Sequence, residues 1–361
     1  MTGAVQALSE YGVEDFSRQL VAWGFKPSHA GRALRAYYAG AGEADWGRLL
    51  LPGALRERLR ALGLLRRTAL AARQAADDGT AKLLLRLDDG RTVETVLMPD
   101  YRPDRAAGCL SSQVGCAMGC DFCATTRNGF ERNLTAGEIV EQYFALRREA
   151  AAAGRRLQTV VFMGMGEPML NLENVLKAVR RIAGNGLGGL GWRQVTVSTV
   201  GVAAGIDALA RAEVPVHLAI SLHAPDDETR ARLLPAGRRF GVAEILAAAD
   251  RYQARSGRTV VVQYCLLKGV NDSPAQAAQL GALLAGRRMH VNLLHYNPTG
   301  PGLRGVAYEA SPAEAAERFL SGLRALGVVA HVRRPRGRGI EAACGQLRER
   351  RPAISPSESG R

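Results

Sequence analysis

From about residue 108 onward, short apolar runs rich in β-branched residues alternate with longer stretches of helical spacing. The runs lie at 157–163 (LQTVVFM), 194–200 (QVTVSTV), 216–222 (VHLAISL), 259–266 (TVVVQYCL), 289–295 (MHVNLLH) and 328–332 (VVAHV). The helical stretches lie at 135–153, 171–184, 202–212, 242–255, 274–285 and 312–326. Strands that read as continuous apolar runs belong in a parallel sheet covered by helices, with right-handed crossovers. Six such repeats predict an α/β chain with a partial (β/α)6-type barrel, its chemistry at the C-terminal ends of the strands. Thr135-Ala-Gly-Glu138 fits a capping box, and Ser311-Pro312 fits a cap followed by proline at the first helical position.

The flanks differ from this core. Residues 1–75 are helical in spacing and rich in arginine, a small basic accessory domain suited to RNA. Residues 76–107 form a hairpin extension, with strands at 81–87 and 91–98 around the turn signal Asp88-Asp89-Gly90. The barrel core spans 108–348, and the charged, Pro/Ser-rich tail at 349–361 is expected to be disordered. Lys+Arg number 48 against 34 Asp+Glu, a net +14, and only Lys26, Lys82, Lys177 and Lys268 among the basic residues are lysine. Arginine-favouring codons account for such a balance, and so does a polyanionic partner; the charge is compatible with both. No run approaches the ~18 apolar residues of a membrane span. The start, MTGAVQALSEYGVEDF, has neither a basic n-region nor an apolar h-region, so a cytoplasmic protein with no membrane partner is expected.

Six cysteines occur, at 109, 116, 120, 123, 265 and 344. Three have C-x3-C-x2-C spacing in Gly115-Cys116-Ala-Met-Gly-Cys120-Asp-Phe-Cys123, a segment with no helix or strand pattern. A loop lets three thiolates converge. A closed zinc site wants a fourth ligand, and His29, His217, His223, His290, His295 and His331 are all distant in sequence. An iron–sulfur cluster held by three cysteines keeps one iron open to a substrate or cofactor. A loop at the head of a β/α array favours the cluster, and zinc is the alternative.

The loop resembles the cluster loop of radical S-adenosylmethionine (SAM) enzymes. CLSSQVGC (109–116), FCATTRNGFERNLTAGEI (122–139), FMGMGEP (162–168), SLHAP (221–225), GVNDS (269–273), VNLLHYNP (291–298) and IEAACGQL (340–347) are similar, in order, to the RlmN/Cfr family of RNA adenine methyltransferases, on the RlmN-like side. The resemblance implies that Cys116, Cys120 and Cys123 hold a 4Fe-4S cluster whose open iron takes SAM. It implies SAM contacts from Gly166, Glu167, Ser198, Ser221, Leu222, His223 and Asn297. Cys344 is then methylated by a first SAM, and a radical from a second abstracts hydrogen from that methyl group, so two SAM are used per turnover. The carbon radical adds to adenine, whose amidine carbons do not react with a cationic methyl donor. Cys109 is implied to release the adduct through a transient disulfide with Cys344, and Glu94 to be the proton acceptor. On its own, Glu94 reads equally as a solvent-facing strand residue, and Cys265, which matches no family role, reads as core.

The implied substrate is carbon 2 of an adenine in 23S rRNA, with tRNA as a second target; a base in folded RNA must leave its stack to reach such a site. A flavodoxin- or ferredoxin-like protein would supply the electron, and the chain is expected to be a monomer. Where the family usually reads Arg-x-Thr-Arg-Gly-x-Asp-Ile, this chain has Arg333-Arg-Pro335-Arg-Gly-Arg-Gly339-Ile. Carbon 8, as in Cfr-type members, a radical SAM enzyme with another substrate, and a zinc-bound RNA-binding protein are the alternatives. Arg336-Gly337 favours the carbon-2 reading.

Overall fold

The computed structural model describes residues 6–184, 186–235, 239–333 and 336–347. Three helices open the chain: α1 (Val13–Ala22), α2 (His29–Ala39) and α3 (Gly53–Gly63). The strands β1 (Thr68–Ala75), β2 (Ala81–Leu87) and β3 (Thr92–Pro99) form an antiparallel meander that leads into β4 (Arg105–Cys109). A small antiparallel pair, β5 (Gln113–Gly115) and β6 (Phe130–Asn133), brackets the cysteine loop. Then come α4 (Ala136–Ala152), β7 (Arg156–Phe162), α5 (Leu172–Ile182), β8 (Val195–Thr199), α6 (Ala203–Arg211) and β9 (His217–Ser221). The chain continues through α7 (Asp227–Leu233), α8 (Val242–Ser256), β10 (Val260–Leu266), α9 (Pro274–Leu284), β11 (Met289–His295), α10 (Ala313–Ala325) and β12 (Val329–Arg333).

One ten-stranded sheet runs β1-β2-β3-β4-β7-β8-β9-β10-β11-β12. Every pairing from β4 to β12 is parallel and follows chain order, which makes a partial β/α barrel with all its C-terminal strand ends on one rim. The six expected strands and six expected helices form within two residues of their predicted limits. β4 adds a seventh parallel strand; Arg105-Ala-Ala-Gly-Cys109 has no β-branched residue to announce it.

Two sequence expectations need correction. Residues 68–75, assigned to the helical segment, form β1, because pairing with β2 overrides the helical propensity of an alanine-rich stretch. Ser311 does not cap α10: its hydroxyl donates to Asp272 Oδ2 at 2.6 Å, and the helix starts after Pro312. The Thr135 cap forms as expected, Thr135 Oγ1 accepting from Glu138 N–H at 3.1 Å and Glu138 Oε2 accepting from Thr135 N–H at 2.8 Å. The tail at 349–361, Arg334, Pro335 and the side chain of Arg338 lie outside the described residues.

One apolar core runs from Phe16, Leu20, Tyr37 and Tyr38 of the N-terminal helices, past Tyr143 and Phe144 of α4, to Val160, Ile220 and Val262 in the strands. A smaller cluster forms at the strand ends from Cys116, Met118, Cys120, Phe122, Leu233, Leu234, Cys265, Leu267 and Tyr296. Among the described residues, no helix is long and apolar enough to cross a membrane.

Candidate active site

The cysteine loop leaves β5 at Gly115, whose φ is 71° and where a Cβ would lie 1.9 Å from the Gly129 carbonyl oxygen, so glycine is required there. The returning chain holds the loop: Cys116 N–H donates to Gly129 O at 2.8 Å, and Thr126 Oγ1 donates to the carbonyls of Cys120 (3.1 Å) and Cys123 (2.9 Å). Asp121 fastens the outer side, accepting from Tyr308 Oη at 2.7 Å and Arg304 N–H at 2.9 Å. Cys116, Cys120 and Cys123 all line one cavity at the strand ends. Burial pushes the Cys116 thiol up to about 12 and raises Cys120 and Cys123 as well.

The turn after β7 lines the same cavity, close to Cys116. Gly166 has φ 98°, and a Cβ there would lie 2.5 Å from Gln113 Cβ. Glu167 follows, buried, with Oε1 accepting from Met169 N–H at 3.0 Å and Oε2 from Val200 N–H at 2.9 Å. Burial raises its carboxyl to about 7 against those two donors. Ser198, Ser221 and His223 complete the wall from the ends of β8 and β9. His223 sits at φ 60°, and its Nδ1 accepts from Cys265 N–H at 2.9 Å, so a neutral ring carries its proton on Nε2. Two expected contacts stand apart from this wall: the Leu222 side chain belongs to the main core, and Asn297 is buried just beyond His295 and Tyr296, which do line the cavity.

The segment after β12 closes the cavity. Gly345 O accepts from Ala124 N–H at 2.7 Å, Leu347 O from Thr125 Oγ1 at 2.6 Å, and Gln346 Nε2 donates to Pro298 O at 3.0 Å. These bonds hold Cys344 beside the cysteine loop, lining the cavity and exposed. Its surroundings raise its thiol, Arg333 lowers it, and Cys123 is close enough to raise it further. Cys109, buried at the end of β4, is pushed up to about 12 by burial, and the Cys344 thiol lies within electrostatic reach of it. The structure therefore places the two far-apart cysteines within electrostatic reach of each other. No disulfide joins them: all six cysteines are free thiols. Cys265 lines the same cavity and also feels Cys344.

Glu94 lies behind this wall and does not face solvent. It is buried and ion-paired with Lys82 Nζ at 3.1 Å, and Ser111 Oγ donates to its carbonyl at 2.6 Å. Lys82 Nζ also donates to the Glu341 carbonyl at 3.4 Å, which links Glu94 to the Cys344 segment. Gly339, where the family usually has aspartate, has nothing within 4 Å of a built Cβ, so its own surroundings do not require glycine. Sequence reasoning missed Gln113, which holds the Glu167 turn through Oε1 and Glu167 N–H at 2.8 Å. It also missed Lys82 and all of α7; a signal for α7 existed in Asp226, whose carboxylate caps it through Thr229 N–H at 2.7 Å.

A partial β/α barrel whose rim cavity is lined by three thiols and a Gly-Glu-Pro turn defines a radical SAM enzyme, and residues 110–280 match the Radical SAM superfamily. A protein of Opitutus terrae named "Probable dual-specificity RNA methyltransferase RlmN 1" is 68% identical, over 97% of this chain and 98% of its own. A Rhodopirellula baltica protein named "Probable dual-specificity RNA methyltransferase RlmN" is 40% identical over 97% and 93%. The crystal structure of a radical SAM methyltransferase from Sphaerobacter thermophilus superposes with a TM-score of 0.87 at 42% identity, covering 95% of this chain and 99% of that one. The chain belongs to the RlmN family of radical SAM methyltransferases.

That superfamily uses a 4Fe-4S cluster and SAM, and the donor set fits. Three thiols shielded from water ionise readily only beside a metal. Among the described residues, no group of three Cys, His, Asp or Glu side chains is gathered as a single-ion site. A cluster takes each thiolate on a different iron, and Cys116, Cys120 and Cys123 would hold it.

Proposed function

We propose that this protein methylates carbon 2 of an adenine in 23S rRNA, and also in tRNA, through a methylated Cys344. The observation that supports this reading is the shared cavity: Cys344 lines it together with Cys116, Cys120 and Cys123, within electrostatic reach of Cys109. The chain's +14 charge and basic N-terminal helices suit an RNA substrate. The relatives' printed names supply the same substrate class.

Gly166 and Glu167 bind the methionine end of SAM, whose ammonium group suits a carboxylate and backbone carbonyls. Ser198, Ser221, His223 and the backbone at Leu222 and Asn297 orient the rest. Cys344 takes the methyl group of one SAM by displacement, and Arg333 favours the thiolate this needs. Cys116, Cys120 and Cys123 would hold a 4Fe-4S cluster, which would supply the one-electron reduction that makes a second SAM a source of a hydrogen-abstracting radical. The Cys344 methyl group then gives up one hydrogen atom and bonds to adenine. Glu94, held by Lys82, accepts the ring proton of the adduct. Once the adduct has also passed its unpaired electron back to the one-electron donor, Cys109 attacks the Cys344 sulfur, the sulfur–carbon bond breaks as the released carbon takes up a proton to complete the methyl group, and a cellular two-electron reductant reopens the resulting disulfide. A flavodoxin- or ferredoxin-like donor delivers the electron, and the protein acts as a cytoplasmic monomer.

Anaerobically reconstituted protein, incubated with 23S rRNA fragments and with tRNA, should yield 2-methyladenosine by nucleoside mass spectrometry. The Cys344 peptide should gain one methylene unit. Cys344→Ala should abolish both signals; a variant that still methylates RNA would overturn the mechanism, and 8-methyladenosine would overturn the choice of carbon.

A further inference from the structure

Arg230 is buried, with 1% of its surface exposed, yet among the described residues no carboxylate hydrogen-bonds or ion-pairs with it. Its guanidinium donates to two backbone carbonyls, Val200 O and, at 3.3 Å, Phe240 O, while its Nε has no hydrogen-bond partner among the described residues. Asp227, three residues earlier, is the carboxylate whose field it feels, but Asp227 Oδ1 accepts from Val242 N–H at 2.7 Å. Burial lowers the guanidinium only to about 10, so it remains charged near neutrality. A cation placed in a low-dielectric interior without a counter-charge is costly, so an anion is expected beside it.

The surroundings identify that anion. Arg230 lies on α7, and the end of α7 is fastened to the cysteine loop: Asp121 N–H donates to Leu233 O at 2.9 Å. Leu233 and Leu234 belong to the same apolar cluster as Cys116, Cys120 and Phe122. The Cys120 thiol is the group that most favours the charged form of Arg230. Arg230 does not line the cavity where SAM would sit. It reaches the loop from α7, on the side of Cys120, and meets the cavity wall through the Val200 carbonyl.

We infer that Arg230 is a positioning residue that balances the charge of the iron–sulfur cluster from the side of Cys120 and so raises its reduction potential. The inference rests on the reading of Cys120 as a cluster ligand. When the cluster takes up one electron from a reductant such as dithionite, its charge becomes more negative by one, with no bond made or broken. A fixed cation nearby stabilises that product more than the oxidised form. The carbonyls of Val200 and Phe240 hold the guanidinium in place, and Val200 N–H in turn holds Glu167 Oε2.

The test is a potentiometric titration of reconstituted wild-type, Arg230→Lys, Arg230→Gln and Arg230→Met proteins, followed by the EPR signal of the reduced cluster, with iron and sulfide assayed in each. The two neutral variants should bind the full cluster but be about tenfold harder to reduce, a fall of 59 mV for one electron. Arg230→Lys, which keeps the charge, should stay near wild type. If Arg230→Met fails to fold, Arg230→Gln, which keeps an amide donor for a carbonyl, serves for the same measurement. Full iron and sulfide with an unchanged midpoint in a neutral variant would overturn the role of Arg230 alone. A wild-type protein that takes up no iron would overturn the ligand reading beneath it.

Discussion

His223 is an imidazole held in the left-handed region at φ 60°, accepting from Cys265 N–H, with its carbonyl accepting from Asn271 Nδ2 at 2.7 Å. Burial, with help from the nearby Arg230 charge, depresses its pKa to about 3. The unfolded chain takes up a proton near pH 6.5 that the folded ring refuses, so stability is present above 6.5 and is lost as pH falls toward 3. The loss is ~1.4 kcal/mol per pH unit inside that window. Urea midpoints of the metal-free protein should show it, and His223→Gln should flatten the curve by one proton; an equally steep curve in the variant would assign the slope elsewhere. Lys82 makes a different case. Removing its cation as Lys82→Met, 3.1 Å from the buried Glu94 carboxylate, should cost on the order of 3 kcal/mol. The double variant Lys82→Met/Glu94→Gln should recover most of that in the same urea experiment.

At the level of elements, Glu141 is one of the buried polar groups that tie the N-terminal segment to the barrel. Glu141 on α4 accepts from Ser9 Oγ at 2.7 Å, Arg67 N–H at 2.9 Å and Thr68 N–H at 2.8 Å. These bonds set where α3 ends and β1 begins. Glu141→Ala strands those donors in a buried seam, and each lost bond to a charged group is worth ~1.5–3 kcal/mol. Proteolysis should then cut first between 63 and 68, while Glu141→Gln, which keeps one acceptor, should resist better. The elements legible in the sequence were those whose periodicity matched their burial: β8 to β10 are apolar runs buried almost throughout, and α5, α6, α8 and α10 around them carry one apolar stripe. β1 was illegible because it is an edge strand with its residues largely exposed, so no alternation marks it. α7 was illegible because seven residues, three of them charged in its first four, show no stripe. The thiols of the site were legible from spacing and resemblance; Arg230 and Gln113 were not, since their roles exist only after α7 meets the cysteine loop and β5 meets the turn at Gly166.

At the scale of the whole molecule, the excess of 48 basic over 34 acidic residues has two origins that sequence alone does not separate. Part of the arginine is committed internally: Arg181 donates to the carbonyls of Ser9 (2.9 Å) and Glu10 (2.7 Å), and Arg132 pairs with Asp89 and Glu138. Such residues hold the fold and cannot grip a polyanion. Others are exposed and face outward, such as Arg18 and Arg48, whose side chains are 73% and 88% accessible despite local aspartate partners. If that outer charge serves the proposed RNA substrate, binding releases counterions, and log K falls linearly with log salt concentration by about 0.7–0.9 per phosphate contacted. Six contacts would give a slope on the order of −4 to −5. Fluorescence anisotropy with a labelled tRNA, repeated across a salt series, measures that slope. Replacing Arg56, Arg58 and Arg60 of α3 with glutamine should make it shallower by one or two contacts while leaving the melting curve in place. A slope near zero in the wild-type protein would assign the arginine excess to codon usage.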